Sequence, residues 1–154
     1  MDVNQHRTIT VNEFAGLVAR ELQLSTDERV ELTRYAEAVQ QSDAMWYGAA
    51  DNVMYYADEV YCSTREISRE EAAAMLAFAS DLIGEHAPKL SSQEAEQTIS
   101  RFRDAKLVSA WAKPALATAV QQQWMNADHE IKPKHYMSSN EATMIVRRFA
   151  TDIQ

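Results

Sequence analysis

Four histidines, one cysteine and 23 Asp or Glu are the residues with which this chain could do acid–base, metal or nucleophilic chemistry. A zinc-hydrolase helix needs His-Glu-x-x-His, so that two imidazoles one turn apart face a single ion. Neither His6, His86, His129 nor His135 belongs to such a run. A di-iron bundle needs Glu-x-x-His on two helices, and no Glu stands three residues before any His. The run "DHEIKPKH", residues 128–135, gathers two histidines and two acids and reads as a polar loop. Cys62 stands alone, which excludes an internal disulfide and a thiolate cage. No neighbouring histidine or helix start favours its thiolate, so it reads as a small buried apolar residue. Three glycines leave no room for a phosphate-cradling loop, a nucleophile elbow or a dinucleotide fingerprint. No catalytic set, metal ligand or cofactor is assigned.

Binding is the class that remains, and its best candidate is "MWYGAADNVMYYADEVY", residues 45–61. On a helix of 100° per residue, Trp46, Ala50, Val53, Ala57 and Val60 share one stripe, flanked by Met45, Met54, Tyr56 and Tyr61. That wide apolar face explains most of the rings as core. Asp51, Tyr55, Asp58 and Glu59 fall on the opposite side, with Tyr47 at its border. An outward tyrosine offers contact area at low entropic cost, and carboxylates around it speed encounter with a basic surface. Tyr47, Asp51, Tyr55, Asp58 and Glu59 are therefore the expected partner-binding residues.

The charge distribution has the same sense. Residues 1–100 hold 18 acids against 7 Lys or Arg, a balance of −11, whereas residues 101–154 hold 5 against 8, a balance of +3. A net −8 repels phosphate backbones. The basic third still offers Lys132, Lys134, Arg147 and Arg148 as the nucleic-acid alternative, in a segment that could pass for a helix-turn-helix. Against it, the two arginines look placed to offset the macrodipole at a helix C-terminus.

The elements that would position these residues are helices. Ser/Thr-x-x-Glu marks a capping box, in which the hydroxyl accepts from the N3 amide and the Glu reaches back to the cap's own N–H. Six matches occur where composition gives about two. Thr10/Glu13, Ser25/Glu28, Ser68/Glu71, Ser91/Glu94 and Ser138/Glu141 each open a run of helical period, and Ser63/Glu66 falls in the turn before Ser68. Phe14, Leu17, Val18 and Leu22 form the first apolar face; Leu32, Tyr35, Ala36 and Val39 form the next. Met75, Leu76, Ala79, Leu82 and Ile83 follow, ending near Gly84 and Pro88. Ala95, Ile99 and Phe102 continue the series, and Pro114 either kinks a helix or sits in the first turn of a new one bearing Leu116, Val120 and Trp124. Ala142, Ile145, Val146, Phe149, Ala150 and Ile153 make the last and cleanest face. "TITV", residues 8–11, has an extended look without an evident partner, and no internal repeat stands out.

The expectation is an all-α, single-domain helical bundle of six or seven helices with short loops, residues 10–154, preceded by a flexible tail over residues 1–9. With an acid at position 2 and no long apolar run, neither a secretory leader nor a membrane span is expected, and the setting is cytoplasmic. The leading function is a non-enzymatic protein-binding factor, a small inhibitor, immunity or accessory protein that presents its acidic, tyrosine-bearing helix to a basic partner. A DNA-associated regulator is the first alternative. A small-ligand or enzymatic bundle lined by Trp111, Trp124 and the methionines is the second. A homodimer across the amphipathic last helix is a further partner reading.

Overall fold

Five of the expected caps start helices where the sequence puts them. The computed structural model describes residues 7–40, 66–84 and 90–153, and among these residues six α-helices occur. They are α1 Val11–Leu22, α2 Thr26–Gln40, α3 Arg69–Leu82, α4 Ser92–Ser100, α5 Lys113–Gln121 and α6 Ser139–Ile153. The capping box is complete at Thr10/Glu13, Ser25/Glu28, Ser68/Glu71 and Ser91/Glu94. At Ser138 it is half made. The hydroxyl accepts from Glu141 N at 3.1 Å, but the Glu141 carboxylate turns to Arg69 instead. Ser63 lies outside the described residues.

The architecture is all-α, and α3 is its centre. Every residue from Ser68 through Leu76 is buried, and α3 packs on α1, α2, α5 and α6. A helix apolar all round has to be enclosed, and the run of Ala72, Ala73 and Ala74 lets its neighbours approach closely. Around it, α1 contributes Val11, Phe14, Ala15, Val18 and Leu22, and α6 contributes Ala142, Ile145, Val146, Phe149 and Ala150. Helix α2 docks through buried Leu32 and through Tyr35, whose ring stacks on Phe78 at 4.3 Å. That burial, with Asp81 nearby, pushes the Tyr35 phenol pKa up. Gly84, at φ 75°, supplies the left-handed residue after α3.

Pro114 resolves in favour of a new helix. It sits in the first turn of α5, where its missing N–H is not needed. Because α5 stops at Gln121, Trp124 does not extend its face. It follows in the turn and is sealed in the core, edge-on to Phe149 at 4.8 Å, with its indole N–H donating to Asp152 at 2.9 Å.

"TITV" does find partners. Three isolated antiparallel bridges join Thr8 to Ser138, Thr10 to Glu66, and Ser68 to Tyr136. At their middle the backbone closes a ring. Ile9 N–H donates to Met137 C=O at 3.0 Å, Met137 N–H to Ile67 C=O at 3.2 Å, and Ile67 N–H to Ile9 C=O at 3.1 Å. Each of the three residues directly precedes an N-cap, so α1, α3 and α6 start from one knot. Packing thus begins at Arg7–Ile9, ahead of the Thr10 boundary suggested by the sequence. The link between α1 and α2 is short, but residues 122–138 form a long irregular connection between α5 and α6. No helix among the described residues is long and apolar enough to cross a membrane.

Candidate functional site

The long connection is held by two consecutive residues at the start of α3. Arg69, with its side chain 8% exposed, donates to Ile131 C=O at 3.0 Å, to Asn126 C=O at 2.7 Å and to Glu141 at 2.5 Å. Glu70, 2% exposed, accepts from Ser109 N–H at 2.9 Å, Ser109 O–H at 2.7 Å and Lys134 Nζ at 2.7 Å. Their backbone amides donate to His135 and Pro133 C=O, each at 3.0 Å. Asp104 adds a second clamp, receiving Ile131 N–H at 2.9 Å and Lys132 N–H at 2.8 Å. The buried carboxylate of Glu70 therefore meets a full set of donors, as a buried charge must.

These clamps leave three surface depressions around the connection. One, of about 350 Å³, lies between Ser109, Trp111, Lys134 and Tyr136, with Glu70 at its floor. A second, of about 400 Å³, is lined by Arg69, Asn126, Lys132, His135 and Glu141. The third is an open groove of about 890 Å³ between residues 120–127 and the outer side of α6, where Arg147 and Arg148 line it.

The four expected nucleic-acid cations are thus divided. Lys134 is committed to Glu70, Lys132 belongs to a different depression, and only Arg147 and Arg148 stand together. The dipole reading of the arginines does not fit either. Helix α6 runs on to Ile153, and its last turn carries no basic residue and includes Asp152. Macrodipole compensation fades within that last turn.

Tyr47, Asp51, Tyr55, Asp58 and Glu59 lie outside the described residues, as does Cys62. Met75, Met125 and Met137 are buried in the core together with Trp124, and of these only Met125 borders a depression, the open groove along α6; Trp111 is the one of the two expected tryptophans that borders a depression. Among the described residues no group of three or more His, Cys, Asp or Glu could hold a metal ion. The "DHEIKPKH" run is pinned by Arg69, Glu70 and Asp104 through its backbone.

The Arg69–Glu70–Asp104 framework has little signature in sequence. One usable hint exists: "SREE" opens a helix that is apolar on all sides, so its first-turn charges must be enclosed and need partners. No protein-family model matches this chain, and neither a curated protein nor a solved structure is significantly similar to it.

Proposed function

We propose that the chain is a non-enzymatic protein-binding factor that engages a basic partner through the acidic, tyrosine-bearing segment of residues 45–61. The observation that carries this reading is the balance of −11 over residues 1–100, against +3 over the remainder. The elements leading into the segment continue its sign, with Glu21, Asp27 and Glu31 exposed on α1 and α2. Both flanking helices are fixed to one core, through Leu32 of α2 and the enclosed body of α3. Tyr47 and Tyr55 supply the ring contacts, and Asp51, Asp58 and Glu59 supply the field that steers a cationic surface.

The test is capture from the native host with the full chain and with Asp51→Lys combined with Asp58→Lys. The double reversal is expected to remove a basic protein that the parent chain retains at low salt. Retention of the same proteins by both forms would place the contact elsewhere. A second pair, Asp27→Lys with Glu31→Lys, separates a local surface from a general effect of net charge, since only the latter responds equally to both pairs.

A further inference from the structure

We propose that the groove between α6 and the turn after α5 is a binding site for a small organic oxyanion, a phosphoryl or carboxylate group on a compact body. Arg147, Arg148, Gln123, Asn126 and Asp152 are among the residues that line it.

Ordinary uses of the two arginines are absent. Among the described residues neither guanidinium takes part in an ion pair, although Arg148 is half-buried. Neither belongs to the last turn of α6, so macrodipole compensation does not explain them. The carboxylate at hand, Asp152, already accepts the Trp124 indole N–H at 2.9 Å. Arg147 is exposed and both guanidinium groups border the groove, where an arriving oxyanion would accept paired N–H···O bonds from them. The exposed side-chain amides of Gln123 and Asn126 add neutral donors.

Size and field choose a small molecule over a duplex. About 890 Å³ lies in the range of small-molecule sites. A DNA backbone needs a run of phosphate contacts, whereas Lys132 and Lys134 line other depressions and the chain carries −8 overall.

The experiment is an NMR titration of the full chain at low ionic strength with four probes: pyrophosphate, adenosine monophosphate, citrate and a short DNA duplex. Saturable shifts confined to residues 120–127 and 147–152 are expected with at least one of the small anions. Pyrophosphate and the nucleotide against citrate distinguish phosphoryl from carboxylate recognition. Arg147→Gln with Arg148→Gln should weaken the bound anion at least ten-fold with an unchanged fold, and Arg148→Lys, which keeps charge but loses the fork, should fall between. Absence of saturation with every small anion overturns the site, as does equal affinity in the double variant. Tighter binding of the duplex, with shifts extending to Lys132 and Lys134, overturns it in favour of nucleic acid.

Discussion

Arg69, the first residue of α3, donates to Glu141 in the first turn of α6 at 2.5 Å, and this pair joins two helix starts that are 72 residues apart in the chain. Because Glu141 faces Arg69, it does not complete the capping box of its own helix, as Glu13, Glu28, Glu71 and Glu94 do for theirs. A local cap has been exchanged for a long-range tie. Glu141→Gln leaves a nearly buried guanidinium with its two carbonyls and no anion, a loss of about 2–4 kcal/mol. Glu94→Gln, at an exposed box that glutamine can also close, should cost clearly less. Urea unfolding of the two variants gives the comparison, and equal losses would mean that the Arg69 contact contributes no more than an ordinary cap.

Glu70 should be the most sensitive carboxylate of the framework. Glu70→Ala removes the acceptor of Ser109 N–H, Ser109 O–H and Lys134 Nζ together. Orphaned donors at a buried position cost about 1–3 kcal/mol each before relaxation, so a total of about 3 kcal/mol is expected. Lys134 itself is more than half exposed. Lys134→Met should therefore cost less than Glu70→Ala, because the Ser109 bonds to Glu70 survive. Thermal melts of the two variants decide the order.

Acid should weaken the molecule through Glu13. The Arg7 guanidinium, bonded at 3.0 and 2.7 Å, and the Thr10 cap hold the Glu13 carboxyl down at about 2 from an ordinary 4.5. The folded state therefore binds its proton later than the unfolded chain does. The contribution is full above pH 4.5 and is lost as pH falls through about 2. Both side chains are well exposed, so solvent and salt reduce its size. In Arg7→Gln, the stability deficit relative to the parent should be largest near neutrality and shrink across that window. A deficit independent of pH would show that Arg7 acts through packing.

Two helix ends offer stabilising changes. Gln23 after α1 and Gln123 after α5 adopt φ 55° and 64°, a region in which glycine has no Cβ penalty. Gln23→Gly should raise stability by up to about 1 kcal/mol, the left-handed penalty less the added entropy of the unfolded chain. Gln123→Gly should do the same while weakening an anion in the α6 groove, since Gln123 lines that groove. A melting temperature that falls in both would show that the glutamine side chains make compensating contacts.

How much of this was legible in the sequence follows from the range of each interaction. Helix starts were readable because a capping box spans three residues, and the buried faces of α1 and α6 because burial follows the helical period. The ring of Ile9, Ile67 and Met137 was not readable. Each apolar-Ser/Thr-x-x-Glu run signals its own helix, and nothing local says that the residues before the caps bond one another. For the same reason Lys134 looked like a free surface cation, since its partner Glu70 is 64 residues away. The last helix reads correctly as far as Ile153, but Arg147 and Arg148 lie before its last turn, too far from the end for the macrodipole role their position suggests. The helical spacing puts Trp124 on the face of Leu116 and Val120, but that helix stops at Gln121.

The ring makes the last prediction. Its three N–H groups each satisfy the carbonyl of another member, and all three residues are buried, so no single bond can open to water without exposing a second segment. Their amides should then exchange with solvent only through the same large-scale opening, with equal protection under native conditions. Ile67→Pro tests the coupling directly. Proline removes the Ile67 N–H and leaves the Ile9 carbonyl without its donor, at a cost of about 1–3 kcal/mol. The extended position of Glu66 in its bridge to Thr10 tolerates a following proline. Protection at Ile9 and Met137 should fall together in this variant, although each keeps its own acceptor. If Met137 retained full protection while Ile9 lost it, the three contacts would be separate bridges, and α1 would be able to leave the junction without α3 and α6.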